Sequence, residues 1–172
     1  IKKFGLSVST EEVLRPFEDK IRVFAEVPRA LDELKHRGFK LIIVTNARRE
    51  FVDMELGQLE ISDYFEHVFS STSDFRLIKK TTDLYEKVCA ACGTLPSEMV
   101  HVGDDRYFDF EVPRKLGIRA FYLDRTGSQA GEFVVHSLKE FSKKLARVPI
   151  TVTTPAGSLT QGVAYTIKPS EE

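Results

Sequence analysis

The chain has 172 residues, 42% of them hydrophobic and 30% charged, with a formal net charge of −1 at pH 7. That length buries a sizeable core in one domain without disulfide or metal staples, and the balanced charge excludes a protein that grips nucleic acid mainly through a basic surface. The longest aliphatic run, Leu41-Ile42-Ile43-Val44, is too short to cross a bilayer, and two cysteines make no disulfide framework, so a cytoplasmic, reducing-compartment protein is expected, with no membrane partner.

Apolar spacing predicts a helix over 10–23, with Val13, Leu14, Phe17 and Ile21 at helical intervals. Pro28 opens a second helix that turns Ala30, Leu31 and Leu34 inward, and Gly38 stops it as a left-handed cap. Residues 40–45 form a short apolar run, a buried strand. A helix over 46–57 sets Phe51, Val52 and Leu56 on one face. Residues 67–69 are a short strand, 82–92 a helix with Leu84, Tyr85, Val88 and Cys92 inside, and 99–102 a strand ending in Gly103. A helix over 109–116 closed by Gly117, a strand over 118–123 and a helix over 137–146 complete the series.

Strands alternating with helices of about ten residues mean βαβ units. The fold class expected is therefore α/β, a Rossmann-like parallel sheet with helices on both faces. Ligands in such sheets bind beyond the carboxyl ends of the strands, which singles out Thr45-Asn46 and Gly103-Asp104-Asp105. The segment 148–172 breaks the pattern. Two β-type runs, 150–153 and 163–167, flank a Thr-, Ser-, Pro- and Gly-rich loop and predict a hairpin or an extended tail that must dock on something.

Three places along the chain carry candidate chemistry. In Gly103-Asp104-Asp105-Arg106-Tyr107-Phe108-Asp109, the carboxylates of Asp104, Asp105 and Asp109 crowd one loop, and crowded carboxylates need a cation. An all-oxygen set suits Mg2+, while a bland reading makes Asp109 a helix N-cap and the others solvated acids. Thr45 ends a buried strand just before a helix, where its hydroxyl and free backbone N–H groups suit a phosphate, or where it simply caps the helix. Lys79-Lys80 precedes the helix at 82–92, either to balance that charge or as a solvated pair. Cys89-Ala90-Ala91-Cys92 has no second pair to complete a zinc site and reads as structural. His101 lies within a strand and reads as a core residue or one behind the site.

Together these segments resemble the haloacid-dehalogenase (HAD) superfamily of hydrolases and phosphatases over roughly residues 10–147. Thr45 in Ile43-Val44-Thr45-Asn46 matches that family's second motif. The third is a lysine before a helix; aligning Lys79-Lys80-Thr81-Thr82-Asp83-Leu84-Tyr85 with Lys-Pro-Asp-Pro-x-x-Phe/Tyr puts Lys79 there, with a one-residue shift to Lys80 left open. Gly103-Asp104-Asp105 and Asp109 match the fourth, Gly-Asp-Ser/Asp-x-x-x-Asp. The resemblance implies that Thr45 and Lys79 are catalytic, that Thr45, Asn46, Ala47 and Lys79 bind the phosphoryl group, and that Asp104 and Asp109 hold Mg2+, beside Asp105, where the family often has Ser.

The departure is at the front. The family's first motif is Asp-x-Asp at the end of its first strand, the source of nucleophile and general acid, and no Asp-x-Asp after an apolar strand occurs in this chain. The expected organisation is an N-terminally truncated one: residues 1–26 the remnant of a helical cap, 27–147 a HAD-like core without its first strand, 148–172 a β-rich tail. The missing strand is central in the family, so its absence leaves two strand edges unpaired. Either a partner polypeptide supplies it or the chain fills the gap itself, with the tail as candidate. The tail's Ile150-Thr151-Val152-Thr153-Thr154-Pro155-Ala156-Gly157 also resembles the last strands of Ig-like IPT/TIG modules.

The lineage implies Mg2+-dependent hydrolysis of a small phosphomonoester, with this chain alone inactive for want of the nucleophile. The rival reading is a non-catalytic module that pairs with a partner through exposed strands. Dehalogenation is a third reading, disfavoured by the acidic metal motif.

Overall fold

The computed structural model describes residues 21–147, the strand at 162–165 and the isolated positions Glu12 and Pro16. Of the helix expected over 10–23, Glu12 and Pro16 are helical, residues 21–23 are not, and the rest lies outside the described residues, as does the β-run at 150–153.

Helix α1 (Val27–His36) starts at Pro28, whose missing N–H is no loss in a first turn, and buries Val27, Ala30, Leu31 and Leu34. The chain then turns at Gly38, whose φ of 82° is open to glycine at no steric cost, into β1 (Lys40–Thr45), buried from Leu41 onward. Helix α2 (Arg49–Leu59) buries Val52 and Leu56, while Phe51 is exposed rather than sharing their face. Next come β2 (Phe65–Ser70), α3 (Thr82–Cys92) and β3 (Met99–Gly103), the last buried at every position. A π-helical turn at Arg106–Glu111 runs into the short α4 (Val112–Arg114), where a single helix was expected. The order closes with β4 (Arg119–Leu123), the two-residue β5 (Val134–Val135) that the sequence pattern had not signalled, α5 (Leu138–Arg147) and β6 (Gly162–Tyr165).

Among the described residues six strands make one sheet in the order β2-β1-β6-β3-β4-β5, and their pairings are parallel. Helices α1 and α5 cover one face, where Leu31, Leu34, Phe141 and Leu145 pack on Leu41, Val100, Val102 and Phe121. Helix α3 covers the other, with Leu84, Tyr85 and Val88 against Ile42, Val44 and Met99. Each such aliphatic or aromatic side chain contributes roughly 1.5–3 kcal/mol by leaving water.

Of the tail, the structure describes only β6. This strand lies in the middle of the sheet, pairing Lys40–Ile43 on one side and Met99–Val102 on the other. The gap expected from a missing central strand is thus closed by the chain's own Gly162–Tyr165, and this part of the tail belongs to the core sheet.

Candidate functional site

The register puts two expected site residues on one level. Ile43 and Val102 share the rung of Tyr165. Thr45 and Asp104 each stand two residues further along, so they flank the carboxyl end of one intervening strand, about 10 Å apart at the backbone.

Thr45 is buried at the end of β1. Its Oγ1 accepts the Ala47 N–H at 3.1 Å, which leaves the hydroxyl hydrogen to donate outward. Two expectations change here. The Ala47 N–H is used by Thr45 itself and does not face a phosphate, and α2 begins at Arg49, so residues 46–48 separate Thr45 from the helix end. The turn is held instead by the loop after β2. Ser70 Oγ donates to the Ala47 carbonyl at 2.7 Å, Ser71 Oγ to Asn46 Oδ1 at 2.9 Å, and Ser71 N to the Thr45 carbonyl at 2.8 Å. Asp74 Oδ2 accepts the Ser70 N–H at 2.7 Å and the Arg49 guanidinium at 2.5 Å. Sequence reasoning missed these residues; the Ser70-Ser71-Thr72-Ser73 run at a strand end, hydroxyl-rich and followed by an acid, was the available signal.

The two lysines differ in kind. Lys79 is exposed, with its ammonium 5.9 Å from the centre of the Phe108 ring. Lys80 is 2% exposed, and its Nζ lies 2.6 Å from Asp109 Oδ1. The lysine brought to the carboxylates is Lys80, one position past the one the motif alignment selected. The physical reason is the turn into α3: Thr81 is its N-cap, and the residue just before it is turned into the core.

Asp109 is the hub of a buried network. Oδ1 also meets His101 Nε2 at 3.2 Å, and Oδ2 accepts the Asp105 N–H at 3.1 Å. Tyr85 Oη donates to the Phe108 carbonyl at 2.9 Å and lies 3.2 Å from His101 Nε2. Burial alone would raise the Asp109 pKa, but the hydrogen bond with His101 and the Lys80 ammonium outweigh it and hold the carboxyl well below its ordinary value. Burial lowers the pKa of His101 against the pull of Asp109, and it raises that of Tyr85, helped by the Asp109 charge. The network therefore holds a carboxylate, an ammonium, a neutral imidazole and a neutral phenol. With Nε2 facing Asp109 and Nδ1 buried without a partner among the described residues, the imidazole proton is assigned to Nε2.

Asp105 is the N-cap of the π-helical turn, its Oδ1 accepting the N–H groups of Tyr107 at 3.0 Å and Phe108 at 2.8 Å. Capping thus falls to Asp105, while Asp109 points into the core. Among the described residues no three His, Cys, Asp or Glu side chains gather as a metal site. Asp109, expected as a Mg2+ ligand, has both oxygens committed to Lys80, His101 and the Asp105 N–H, and Asp105 is committed to its cap. Asp104, partly buried just past the end of β3, stands on the level of Thr45 and carries an oxygen donor of the kind Mg2+ takes.

Comparison with known proteins bears on what such a site belongs to. The family model for haloacid dehalogenase-like hydrolases matches residues 6–123. The chain belongs to the haloacid dehalogenase-like hydrolase family. Among this HAD chain's relatives, an (S)-2-haloacid dehalogenase of Pseudomonas sp. strain YL is 29% identical over 63% of this chain and 46% of its own length. A glyceraldehyde 3-phosphate phosphatase of Pyrococcus furiosus is 28% identical over 74% of this chain and 58% of its own length. The HAD chain thus spans about half the length of these relatives. The crystal structure of a HAD phosphatase from Thermococcus onnurineus superposes with a TM-score of 0.73, at 27% identity, covering 84% of this chain and 67% of its own. Thr45, Lys80, Asp104 and Asp109 all fall inside the span matched by the HAD model.

The two cysteines of the HAD chain lie along α3, Cys89 buried and Cys92 half-buried. Burial pushes the Cys89 thiol up to about 11 and raises Cys92, so both are packing residues rather than thiolates. No helix among the described residues is long and apolar enough to cross a membrane.

Proposed function

We propose that this chain carries the phosphate-holding half of a HAD-type phosphohydrolase site, and that by itself it binds a small phosphomonoester without hydrolysing it. One observation carries the reading: the buried Lys80–Asp109 pair at the foot of the Gly103-Asp104 loop, on the level where Thr45 ends β1. The phosphatases among the relatives support the substrate class.

In this reading Thr45 donates its hydroxyl hydrogen to a phosphoryl oxygen, because its lone pair is already satisfied by the Ala47 N–H. The Asn46 side chain, held by Ser71, borders the same turn. Lys80 neutralises charge that develops on the phosphoryl group, and Asp109 with His101 behind it fixes the ammonium in place. Asp104 is the ligand this chain offers to Mg2+, which would supply charge neutralisation at the phosphate. A covalent aspartyl-phosphate needs an Asp at the end of the strand between β1 and β3. The described strand in that position is Gly162-Val163-Ala164-Tyr165, which bears no carboxylate. The reading sets the chain in the reducing cytoplasm, where Cys89 and Cys92 stay thiols.

The test pairs turnover with binding. Hydrolysis of p-nitrophenyl phosphate, with and without Mg2+, is expected to stay at the background of Asp104→Asn. Inorganic phosphate is expected to bind at millimolar concentration, followed by amide chemical shifts, and Thr45→Val is expected to weaken it about tenfold, the worth of one lost charge-assisted hydrogen bond. Mg2+-dependent turnover lost in Asp104→Asn would overturn the inactivity. Phosphate shifts absent, or unchanged in Thr45→Val, would overturn the site.

A further inference from the structure

The sheet is completed by an unusual occupant. Strands β1 and β3 do not pair with each other; each meets β6 on its inner edge and a different strand, β2 or β4, on its outer edge. Both are buried strands, and their described neighbours in the core include Leu31, Leu84 and Phe141, all earlier in the chain than β6. The strand between them comes from far along the chain, reached from α5 only across residues 148–161. It offers four rungs against six residues of β1 and five of β3.

We infer that the slot between β1 and β3 is a strand-acceptor site, which the chain's own Gly162–Tyr165 fills in cis and which takes an extended, parallel, apolar peptide of the same kind in trans. Three features of the slot set that chemistry. Its walls are two rows of backbone N–H and C=O groups, buried so that water cannot satisfy them, and an extended backbone satisfies both rows at once. Direction is fixed as parallel, because both walls run the same way. The rungs also alternate in what flanks them. Leu41 with Val100, and Ile43 with Val102, flank the rungs of Val163 and Tyr165, whereas Ile42 with His101 flank that of Ala164, and His101 is already committed to Tyr85 and Asp109. The occupant's sequence, Gly-Val-Ala-Tyr, has its larger residues at the first kind of rung and its smaller ones at the second. A charged or Pro-containing strand fits neither the apolar rungs nor the two ladders.

Exchange is governed by the tether. A link as short as residues 148–161 holds its own strand at an effective concentration of about a millimolar or more. A peptide in trans therefore competes poorly in the native chain and well once the cis strand is disabled.

The experiment uses the full chain and Ala164→Pro, which removes a ladder donor in the middle of β6 and leaves every residue of the phosphate site in place. A fluorescent peptide of residues 159–168 is titrated against both, with a scrambled peptide as control, and amide exchange of β1 and β3 is followed in parallel. Ala164→Pro is expected to lose protection at Leu41–Ile43 and Val100–Val102 and to bind the peptide at least tenfold more tightly than the native chain does. If the variant does not fold alone, refolding with the peptide is expected to restore native circular dichroism, and refolding with the scrambled peptide is not. Protection of β1 and β3 unchanged in Ala164→Pro overturns the inference, as does a folded variant that ignores the peptide, or an unfolded one that the peptide does not rescue. None of these readouts involves phosphate, so the slot can fail while the phosphate site stands, and the reverse.

Discussion

Asp109 presses its carboxyl group onto the α-carbon of Gly103: a Cβ built there would lie 2.5 Å from both Cγ and Oδ2 of Asp109. Gly103 has no left-handed φ to require glycine. The requirement is one of space, since any side chain would push Asp109 off Lys80 and His101. Gly103→Ala is therefore expected to cost about 1–3 kcal/mol through overpacking, measured by urea denaturation, and to abolish phosphate shifts at Thr45. An alanine variant of native stability would mean that Asp109 yields freely and is not fixed by this contact.

The two adjacent lysines should separate cleanly. Lys80→Met strands the buried Asp109 carboxylate and is expected to destabilise by about 3–5 kcal/mol. Lys79→Met, at an exposed position, should change stability by less than about 0.5 kcal/mol. Equal effects in parallel denaturant titrations would contradict the assignment of the buried partner to Lys80.

His101 makes stability depend on pH near neutrality. Its folded pKa lies below the ordinary 6.5 because burial favours the neutral ring. Below about pH 6.5 the unfolded chain therefore binds a proton that the folded chain resists, so stability falls as pH drops from 7 towards 5. Replacing the imidazole by a non-titrating amide, His101→Gln, is expected to flatten this limb even where it lowers overall stability. A slope unchanged between pH 7 and 5 would move the titration to another group.

At lower pH a second group takes over. Asp124 accepts hydrogen bonds from Thr126, Ser128 and the Gln129 N–H. The Thr126 hydroxyl leads in holding its pKa down to about 2. Its contribution is complete above the ordinary value of 3.8 and disappears as pH falls towards 2. Asp124→Asn should weaken the acid limb over that window and leave the region near neutrality alone, as read from thermal melts at successive pH values.

The thiols give a chemical check on α3. With Cys89 at about 11 and Cys92 raised as well, almost no thiolate exists at pH 7. In the native chain both are expected to react with a disulfide reagent at least tenfold more slowly than in urea. Fast native labelling at Cys89 would show that α3 opens or packs differently.

Much of this molecule was legible from residue order alone. Apolar runs with period-specific spacing set β1, α3, β3 and β4 to within a residue or two, because burial of one face is a local property of the sequence. Thr45, Asp104 and Asp109 stand out in the sequence for a similar reason: each lies at a strand end or at a fixed offset from one. Three matters were decided only by tertiary structure. Which of Lys79 and Lys80 turns inward depends on how the chain enters α3. Whether Asp109 binds outward or is spent inward depends on Lys80 and His101, remote in sequence and adjacent in space. The place of Gly162–Tyr165 depends on long-range strand pairing, where four residues of β-type sequence carry no mark of their neighbours, and only two buried edges, left facing each other by β1 and β3, specify what must lie between them.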